Sequence, residues 1–537
     1  MTTHVTPQLE APASVPSSAG AFGRTGAAWL GLGATGLLAV LVFWVFDALP
    51  FQDLPAHAGL IAMRHRFAGS DFEQQFYVLA PHIGPYSLFR FLGEGFVRVI
   101  GPVGAVRALG TLPAIATPAA LLFARRRLFA DTSPAHGYLG IALSFGIMTL
   151  LGFASYLLGV AVMLVGLTLW LELLVASDDS APDIRKRELV VAAFTPLIFV
   201  AHGHAFVLFL IAASISCVIT GNRKKRMWRL WTLAPAVGLA TWVAWLEHGT
   251  TTPPGSVSIV PKLSPLFEGM TSKLSLLVTP TLMTRTGIDF LVSVVGWVFA
   301  IACGTLTILS LRHVDGAPSA EVRHSRALYA CMGVLAIVFA ALPHAVGWFG
   351  FVDGRLVPVI LFLALLGVRR SVLPRSLVIG LDAGAPVAAW TITVVALVAS
   401  YRFQDEARGF HEVLGRVPAH ARLLNLPLDP NSDVFTAHPF VHYDKLVLAE
   451  RPIVVSDIWF HQGSAIYPTP KNPALRLPDS YSESDLRGID WPEYRLEDWD
   501  YVLIRTRPNA LPPHVPNALT LDEHRGGWWL FRRNAEL

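Results

Sequence analysis

Residues 27–64 read AAWLGLGATGLLAVLVFWVFDALPFQDLPAHAGLIAMR and decide the fold class of this chain. The stretch begins with an apolar run ending at Leu49, which is long enough to cross a bilayer and too long for the core of a cleaved signal peptide. A polar patch follows at once, with Asp53, His57 and Arg64 in one short segment. We interpret the run as a retained signal anchor and the patch as the point where the chain leaves the membrane.

The composition of the whole chain agrees with this interpretation. The 537 residues are 53% hydrophobic and 15% charged, whereas soluble proteins have about 25% charged residues. The sequence is therefore that of an integral membrane protein, and nothing in it supports nucleic-acid binding. The three cysteines all lie in apolar stretches, which indicates packing residues rather than a disulfide framework.

Apolar runs of about the length of a membrane span predict roughly eleven transmembrane helices. They fall near 27–49, 103–123, 136–153, 156–176, 189–201, 204–220, 230–247, 287–310, 327–343, 354–368 and 377–400. With eleven spans, every basic cluster lies on one face, and the positive-inside rule makes that face cytoplasmic. The predicted protein therefore resides in a bacterial inner membrane, with its N-terminus inside and its C-terminus outside.

The predicted fold class is mainly α, a polytopic membrane protein of about eleven transmembrane helices with a C-terminal extracytoplasmic α/β domain. Residues 1–26 form a disordered cytoplasmic tail, and 27–401 form the membrane domain, with external loops 50–102 and 248–286. Residues 402–537 are polar, hold no apolar span and contain short strand-like runs, so they form the external domain.

This topology places several ionisable residues at the external ends of helices. Asp53 is suited to cap a short helix, on which positions 53, 57 and 64 fall within about 40° of one another at 100° per residue. Ionisable groups at membrane depth mark functional sites, although at the membrane edge they also serve as interfacial anchors. For Asp53, His57 and Arg64, the alternative is a capped amphipathic helix in the interface.

Three further positions on the same face are candidates. His202 and His204 flank Gly203 within a long apolar stretch, and are either ligands or a polar turn between spans. His344 ends another helix. Asp353 and Arg355 begin an apolar helix, where the arginine either binds a phosphate or anchors the helix by pairing with the aspartate.

Carboxylate and imidazole groups also suit Zn²⁺ or Mn²⁺. Asp53, His57, His202 and His204, with His344, therefore form a candidate set of divalent-metal ligands. The sequence does not fix the distances between them, so the cofactor stays open.

Three motifs together resemble the C-type superfamily of integral membrane glycosyltransferases, in a poorly characterised bacterial branch. They are Asp53-Leu54-Pro55-Ala56-His57 with Arg64, then Gly152-Phe153-Ala154-Ser155-Tyr156-Leu157-Leu158-Gly159, and Asp353-Gly354-Arg355-Leu356-Val357-Pro358. The resemblance covers about residues 27–400 and, more loosely, the external domain. It implies a transferase that takes a hexosyl or pentosyl group from a polyprenyl-phosphate-linked donor on the extracytoplasmic face.

By the same resemblance, Asp53 is the catalytic base or a metal-binding acid, and Arg355 binds the carrier phosphate. Family members often have a second acidic residue near the first, but residues 54–69 contain none. Asp47, Asp71 or Glu73 would substitute only if the fold brings them close, and His57 is the alternative base or ligand. The rival functions are a transporter or flippase for a lipid-linked envelope precursor, and a non-catalytic membrane scaffold.

Overall fold

The structure is a computed structural model. It describes residues 18–79, 83–176, 181–220, 227–249, 270–278, 283–312, 318–345, 350–458, 466–486, 488–508 and 510–534. Most of the predicted tail 1–26 and much of the predicted external loop 248–286 lie outside the described residues.

The N-terminal three quarters of the described chain are helical. The α-helices there are Ser18–Trp44, Leu54–Arg66, Asp71–Phe76, Ser87–Phe129, Ala135–Ser144, Ile147–Leu150, Ala154–Val175, Ala181–Ala201, Gly203–Ile219, Ala234–Gly249, Met270–Val278, Ile288–Ser310, Ala320–Ala341, Leu356–Gly367 and Arg375–Glu406. Short 3-10 helices occupy Phe67–Gly69, Leu230–Leu233 and Arg370–Val372.

Within the described residues, six of these helices are long and apolar enough to cross a membrane. They begin at Gly26, Ser87, Ala154, Ile288, Ala320 and Arg375, and the helices Gly203–Ile219 and Leu356–Gly367 are apolar but shorter. The chain is therefore a multi-pass, mainly α membrane protein, as its composition predicts. The remaining predicted spans correspond to shorter, broken or less apolar helices.

The prediction of a single span over 136–153 is wrong. The chain forms two short helices there, Ala135–Ser144 and Ile147–Leu150, because Phe145 and Gly146 between them have extended backbone. Extended residues interrupt the i to i−4 hydrogen bonds of a helix. The second short helix then ends at Leu150, and the carbonyls of Leu150 and Leu151 accept hydrogen bonds from another segment.

The predicted interfacial element in 71–101 and the predicted span 103–123 share one long helix, Ser87–Phe129. This helix is 43 residues long and is kinked at Gly101, whose φ is 70° and ψ 175°. The left-handed conformation suits glycine, and Pro102 begins the next helical segment after it. The kink separates the segment that carries Arg90 and Glu94 from the predicted span 103–123.

The C-terminal region is a small α/β domain, as predicted. It contains helices Phe410–Gly415 and Lys445–Glu450, strands β2 (Arg422–Pro427), β3 (Val454–Val455), β4 (Ile466–Pro468), β5 (Tyr501–Arg505), β6 (Leu519–Arg525) and β7 (Trp528–Arg533), and 3-10 helices Pro473–Arg476, Trp491–Tyr494 and Leu496–Asp498. The five-stranded sheet has the order β3-β2-β5-β7-β6. Strands β3, β2 and β5 are parallel, whereas β5, β7 and β6 pair antiparallel.

This domain packs directly on the segment that follows the first span. The Tyr443 hydroxyl donates to the Leu49 carbonyl at 2.6 Å, and the Arg66 guanidinium donates to the Leu448 carbonyl at 2.6 Å. Strand β1 (Tyr77–Leu79) of the first loop pairs antiparallel with β4. The domain is thereby fixed against the Leu54–Arg66 helix and the patch that precedes it.

Candidate active site

Asp53 is held in place by the end of the Ile147–Leu150 helix and the turn that follows it. The backbone N–H groups of Gln52 and Asp53 donate to the carbonyls of Leu150 and Leu151, at 3.0 and 3.2 Å. Gly152 then turns the chain with φ +80°, and a Cβ there would lie 2.6 Å from the Asp53 nitrogen. The Asp53 motif and the motif that begins at Gly152 therefore form one backbone unit.

The side chain of Asp53 is not used as a helix cap. The residue precedes the Leu54–Arg66 helix at the cap position, but within the described structure its carboxylate accepts no capping hydrogen bond. The carboxyl group is mostly buried, with 14% of the side chain exposed. A buried carboxyl group without a capping role is available for chemistry.

Arg355 is positioned by the same motif. Its guanidinium lies 4.4 Å above the centre of the Phe153 ring and 5.8 Å from that of Tyr156. The Tyr156 hydroxyl donates to the Arg355 backbone carbonyl. Residues 152–156 therefore join the two predicted site residues, Asp53 and Arg355, through consecutive contacts.

The two groups also interact electrostatically. Burial raises the pKa of Asp53 from 3.8 to about 6, while the positive charges of His442 and Arg355 oppose that rise. A carboxylate with a pKa near 6 is ionised at neutral pH and is a stronger base than an exposed aspartate. The structure thus brings a carboxyl group of raised pKa and a fixed guanidinium into one site.

His202 and His204 lie on the Arg355 side of this site. The His202 ring contacts those of Tyr86 and Tyr156, with centroids 4.6 and 5.2 Å apart, and the His204 ring lies 5.8 Å from that of Tyr156. His202 is also the cap of the Gly203–Ile219 helix, because its Nδ1 accepts from the His204 backbone N–H at 3.1 Å. Both predicted functions of this turn, a structural break and a site component, fit its position.

Asp353 does not pair with Arg355, which was one alternative from the sequence. Its Oδ1 lies 2.9 Å from Nδ1 of His344, and its Oδ2 lies 3.7 Å from Nζ of Lys273. His344 and Asp353 therefore form a polar pair beside the site, and the Arg355 guanidinium stacks on aromatic rings instead.

His57 and Arg64 have different surroundings. The His57 ring packs 4.8 Å from that of Phe89, and burial together with the charge of His442 lowers its pKa to about 3. Arg64 lies roughly 16 Å further along the helix than Asp53, at 1.5 Å per residue, and its Nε donates to Glu94 at 2.7 Å. The structure therefore does not bring Arg64 to Asp53. The two residues share one face of the helix but are separated along its axis.

The predicted metal ligands do not form a ligand set. Among the described residues, no group of three or more His, Cys, Asp or Glu side chains is placed to hold a metal ion. Nδ1 of His202 is engaged with the backbone. The positive charges of Arg355 and His442 near Asp53 also disfavour a divalent cation there. A divalent metal stays a prediction from the sequence alone, and the proposed reaction does not use one.

The sequence prediction missed a group from the C-terminal domain. Nε2 of His442 lies 3.8 Å from Oδ1 of Asp53, and Nδ1 of His442 lies 2.9 Å from Oε2 of Glu483. The sequence contains one signal for this group, the run of ionisable residues His442-Tyr443-Asp444-Lys445. Charged residues are seldom buried in a small domain, so the burial of this run sets it apart.

A second acidic residue near Asp53 belongs to this domain. Glu73 of the first loop is buried in an ion pair with Arg66 at 2.7 Å. Asp457, which follows β3, is instead close enough to Asp53 for its charge to raise the pKa of Asp53. The carboxyl end of a parallel strand is where α/β sheets commonly place functional groups.

Fold and site together define a multi-pass membrane protein with a carboxylate and an arginine gathered where the C-terminal domain meets the membrane region. No protein-family model matches the chain, and no curated protein matches it. Three solved structures are similar to it at low identity. ArnT from Cupriavidus metallidurans is 12% identical with a TM-score of 0.40, and the match covers 95% of this chain and 98% of that chain. The Archaeoglobus fulgidus oligosaccharyltransferase is 12% identical with a TM-score of 0.46, and the match covers 89% of this chain and 69% of that chain. The arabinofuranosyltransferase AftD from Mycobacteria is 14% identical with a TM-score of 0.39, and the match covers 94% of this chain and 40% of that chain.

Proposed function

We propose that this protein is a membrane glycosyltransferase that takes a sugar from a polyprenyl-phosphate-linked donor on the extracytoplasmic face. The single observation that carries the proposal is that Asp53 and Arg355 are held on one scaffold, residues 152–156. A base and a fixed cation are the two groups that sugar transfer from a phosphate requires.

In the proposed reaction, the Asp53 carboxylate takes the proton from an acceptor hydroxyl. The acceptor oxygen forms a bond to the anomeric carbon as the bond from that carbon to the carrier phosphate oxygen breaks. The electron pair of the broken bond stays on the phosphate, where the Arg355 guanidinium stabilises the added charge. Attack opposite the leaving group inverts the anomeric centre.

The guanidinium of Arg355 is suited to a phosphate ligand. Asp353, its neighbour in sequence, is engaged by His344 and Lys273, while Tyr86 and Asp53 lie within electrostatic reach of Arg355. Arginine is always charged and offers planar paired donors, which match phosphate oxygens. The ring of Phe153 fixes the plane of those donors.

The face of the membrane follows from charge. The basic clusters of the sequence lie on the side opposite to the site in the predicted topology, and the positive-inside rule makes that side cytoplasmic. The donor therefore meets the site at the outer leaflet of a bacterial inner membrane. The acceptor is a hydroxyl-bearing envelope component.

The test is complementation of a cell that lacks this chain, with surface glycans as the readout. We expect Asp53→Ala and Arg355→Ala to fail to restore the glycan that the wild type restores, at equal protein abundance. Gly333→Ala is the matched control, since a Cβ at Gly333 meets nothing within 4 Å. If both site variants restore the glycan fully, the proposal fails and the scaffold alternative is favoured.

The transporter alternative makes a different prediction for the lipid-linked sugar. A flippase variant would retain that lipid in the inner leaflet, whereas a transferase variant would let it accumulate in the outer leaflet. Glu172, an ionisable residue inside a predicted span, pairs with Arg127 at 2.6 Å and so does not extend a polar path. Outer-leaflet accumulation in Asp53→Ala cells supports the transferase.

A further inference from the structure

His442 lies between two carboxyl groups that belong to different parts of the chain. Its Nε2 is 3.8 Å from Oδ1 of Asp53, and its Nδ1 is 2.9 Å from Oε2 of Glu483. The residue precedes the Lys445–Glu450 helix, which packs against the Leu54–Arg66 helix so closely that a Cβ at Gly59 would lie 3.0 Å from the Lys445 carbonyl. The position of this imidazole is therefore set by the contact between the C-terminal domain and the membrane region.

The Glu483 end of the arrangement is rigid. Its side chain is 1% exposed and accepts hydrogen bonds from Nζ of Lys445 at 2.5 and 2.6 Å. Further donors are the Tyr481 hydroxyl at 2.9 Å and the Asn425 amide at 3.2 Å. Because Glu483 is fixed and accepts, Nδ1 of His442 carries a proton and the ring cannot rotate freely.

Stability alone does not explain this cluster. Asp444, Lys445 and Glu483 are almost completely buried, with side-chain exposures of 0%, 0% and 1%. Buried ion pairs rarely add net stability over apolar residues of the same volume, because desolvation offsets their attraction. A cluster of this kind is better explained by what it orients, and the group that it orients toward Asp53 is His442.

We propose that His442 is a positioning residue for Asp53, and that the C-terminal domain is thereby part of the catalytic site. This inference rests on the proposed transferase function. With Nδ1 held by Glu483, Nε2 orients the Asp53 carboxylate toward the acceptor hydroxyl. The separation of 3.8 Å shortens to a hydrogen bond when substrate closes the site, since catalytic hydrogen bonds are often long without substrate.

The charge on His442 agrees with this role. Burial disfavours its imidazolium form, but the hydrogen bond and charge of Glu483, together with Asp53, outweigh burial and Lys445 and raise its pKa. Asp444 and His57 also lie within electrostatic reach of the ring. Both ring nitrogens face carboxyl groups, so the imidazolium form directs its Nε2 proton toward Asp53.

The test compares two substitutions, each of which places an amide nitrogen at the position of one of the two ring nitrogens. In His442→Gln, the amide nitrogen replaces Nε2 and reaches Asp53, whereas in His442→Asn it replaces Nδ1 and reaches only Glu483. We expect His442→Asn to reduce the surface glycan at least about tenfold, a part of the 10²–10⁴ that a general base contributes. We expect His442→Gln to keep most of the wild-type glycan level at equal protein abundance.

A purely structural role predicts the reverse order, because the Glu483 contact is the shorter one. Tyr443→Phe is the matched control, since it removes the 2.6 Å bond between the domain and Leu49 without touching Asp53. His442→Asn equal to or better than His442→Gln would overturn the inference, provided Asp53→Asn abolishes the glycan. If Asp53→Asn keeps the glycan, the proposed function itself fails, and the inference fails with it.

A second variant covers the case in which His442→Asn does not accumulate. Glu483→Gln keeps an acceptor for Nδ1 but removes the charge that holds the ring, and we expect a glycan level below that of Tyr443→Phe. Wild-type glycan levels in Glu483→Gln, at wild-type abundance, would also overturn the inference.

Discussion

Gly152 and Asp53 are in backbone contact, so that a Cβ at position 152 would lie 2.6 Å from the Asp53 nitrogen. Gly152 also has φ +80°, a conformation that residues with a Cβ adopt only at a cost of about 1–2 kcal/mol. Both facts require glycine at this position. The contact joins the turn after the Ile147–Leu150 helix to Asp53, the proposed catalytic base.

The first prediction concerns this contact. Gly152→Ala should shift Asp53, lower the free energy of unfolding by at least about 1–2 kcal/mol, and remove most of the surface glycan. Thermal melting of the purified protein and glycan complementation measure the two effects. Gly333→Ala serves as the control and should change neither, so equal behaviour of the two variants would contradict the packing described here.

The second prediction concerns the pH dependence of stability. The pKa of Asp53 is raised from 3.8 to about 6 in the folded protein, so protonation favours the folded state. This contribution is fully present below pH 3.8 and is lost as the pH rises to about 6 and beyond. The shift of the Asp53 pKa corresponds to about 3 kcal/mol in the free energy of unfolding.

Asparagine does not titrate, so Asp53→Asn should be more stable than the wild type at pH 7.5 and lose that advantage near pH 4. Melting temperatures of the two proteins across this range provide the measurement. Asp405→Asn is the control, because that carboxylate is 72% exposed. A pH-independent difference between Asp53→Asn and the wild type would show that Asp53 is not destabilised by burial.

The third prediction concerns Arg355 as a phosphate ligand. Arg355→Lys keeps the positive charge but loses the planar donors and the stacking on Phe153. We expect it to bind undecaprenyl phosphate at least about tenfold more weakly, since hydrogen bonds to charged groups contribute about 1.5–3 kcal/mol. Binding to the purified protein in detergent is measured with undecaprenol as the ligand control.

Arg408→Lys is the matched protein control for this measurement, because Arg408 is 79% exposed and pairs only locally with Asp405. Equal affinity of the wild type and Arg355→Lys for undecaprenyl phosphate would remove the phosphate role from Arg355. So would equal affinity of the wild type for undecaprenol.

The fourth prediction concerns divalent metals. The positive charges of Arg355 and His442 near Asp53 should oppose cation binding, so Mn²⁺ or Mg²⁺ should shift the melting temperatures of wild type and Asp53→Asn equally. EDTA should likewise affect both equally. A cation that stabilises only the wild type would establish Asp53 as a ligand, because a ligand that binds the folded state raises its stability.

The sequence was sufficient for the membrane class, for strands β2, β5 and β7 of the C-terminal domain but not for β3, β4 and β6, and for the three motifs that meet around Asp53. Those features depend on local composition and spacing, which are visible in short stretches of sequence such as the motifs that contain Gly152 and Arg355. It was not sufficient for the break at Phe145 and Gly146. An apolar run has the same composition whether or not it is interrupted.

Long-range contacts were also beyond the sequence. Arg64 shares a helical face with Asp53, but its partner Glu94 comes from another helix and keeps it elsewhere. His442 and Asp457 reach the site only because the C-terminal domain docks on the first loop. No local pattern encodes that docking, so the acids considered from the sequence were Asp47, Asp71 and Glu73, and not Asp457 of the C-terminal domain.

The proposed transfer of a sugar from a polyprenyl-linked donor by Asp53 and Arg355 is tested most directly by mass spectrometry of polyprenyl-linked lipids from cells in which Asp53→Asn replaces the wild type. We expect one lipid-linked sugar to accumulate in these cells, wild-type protein to clear it, and the same sugar to be missing from the surface glycan. Identical lipid profiles in wild-type and Asp53→Asn cells, with the glycan intact, would show that Asp53 does not take part in such a transfer.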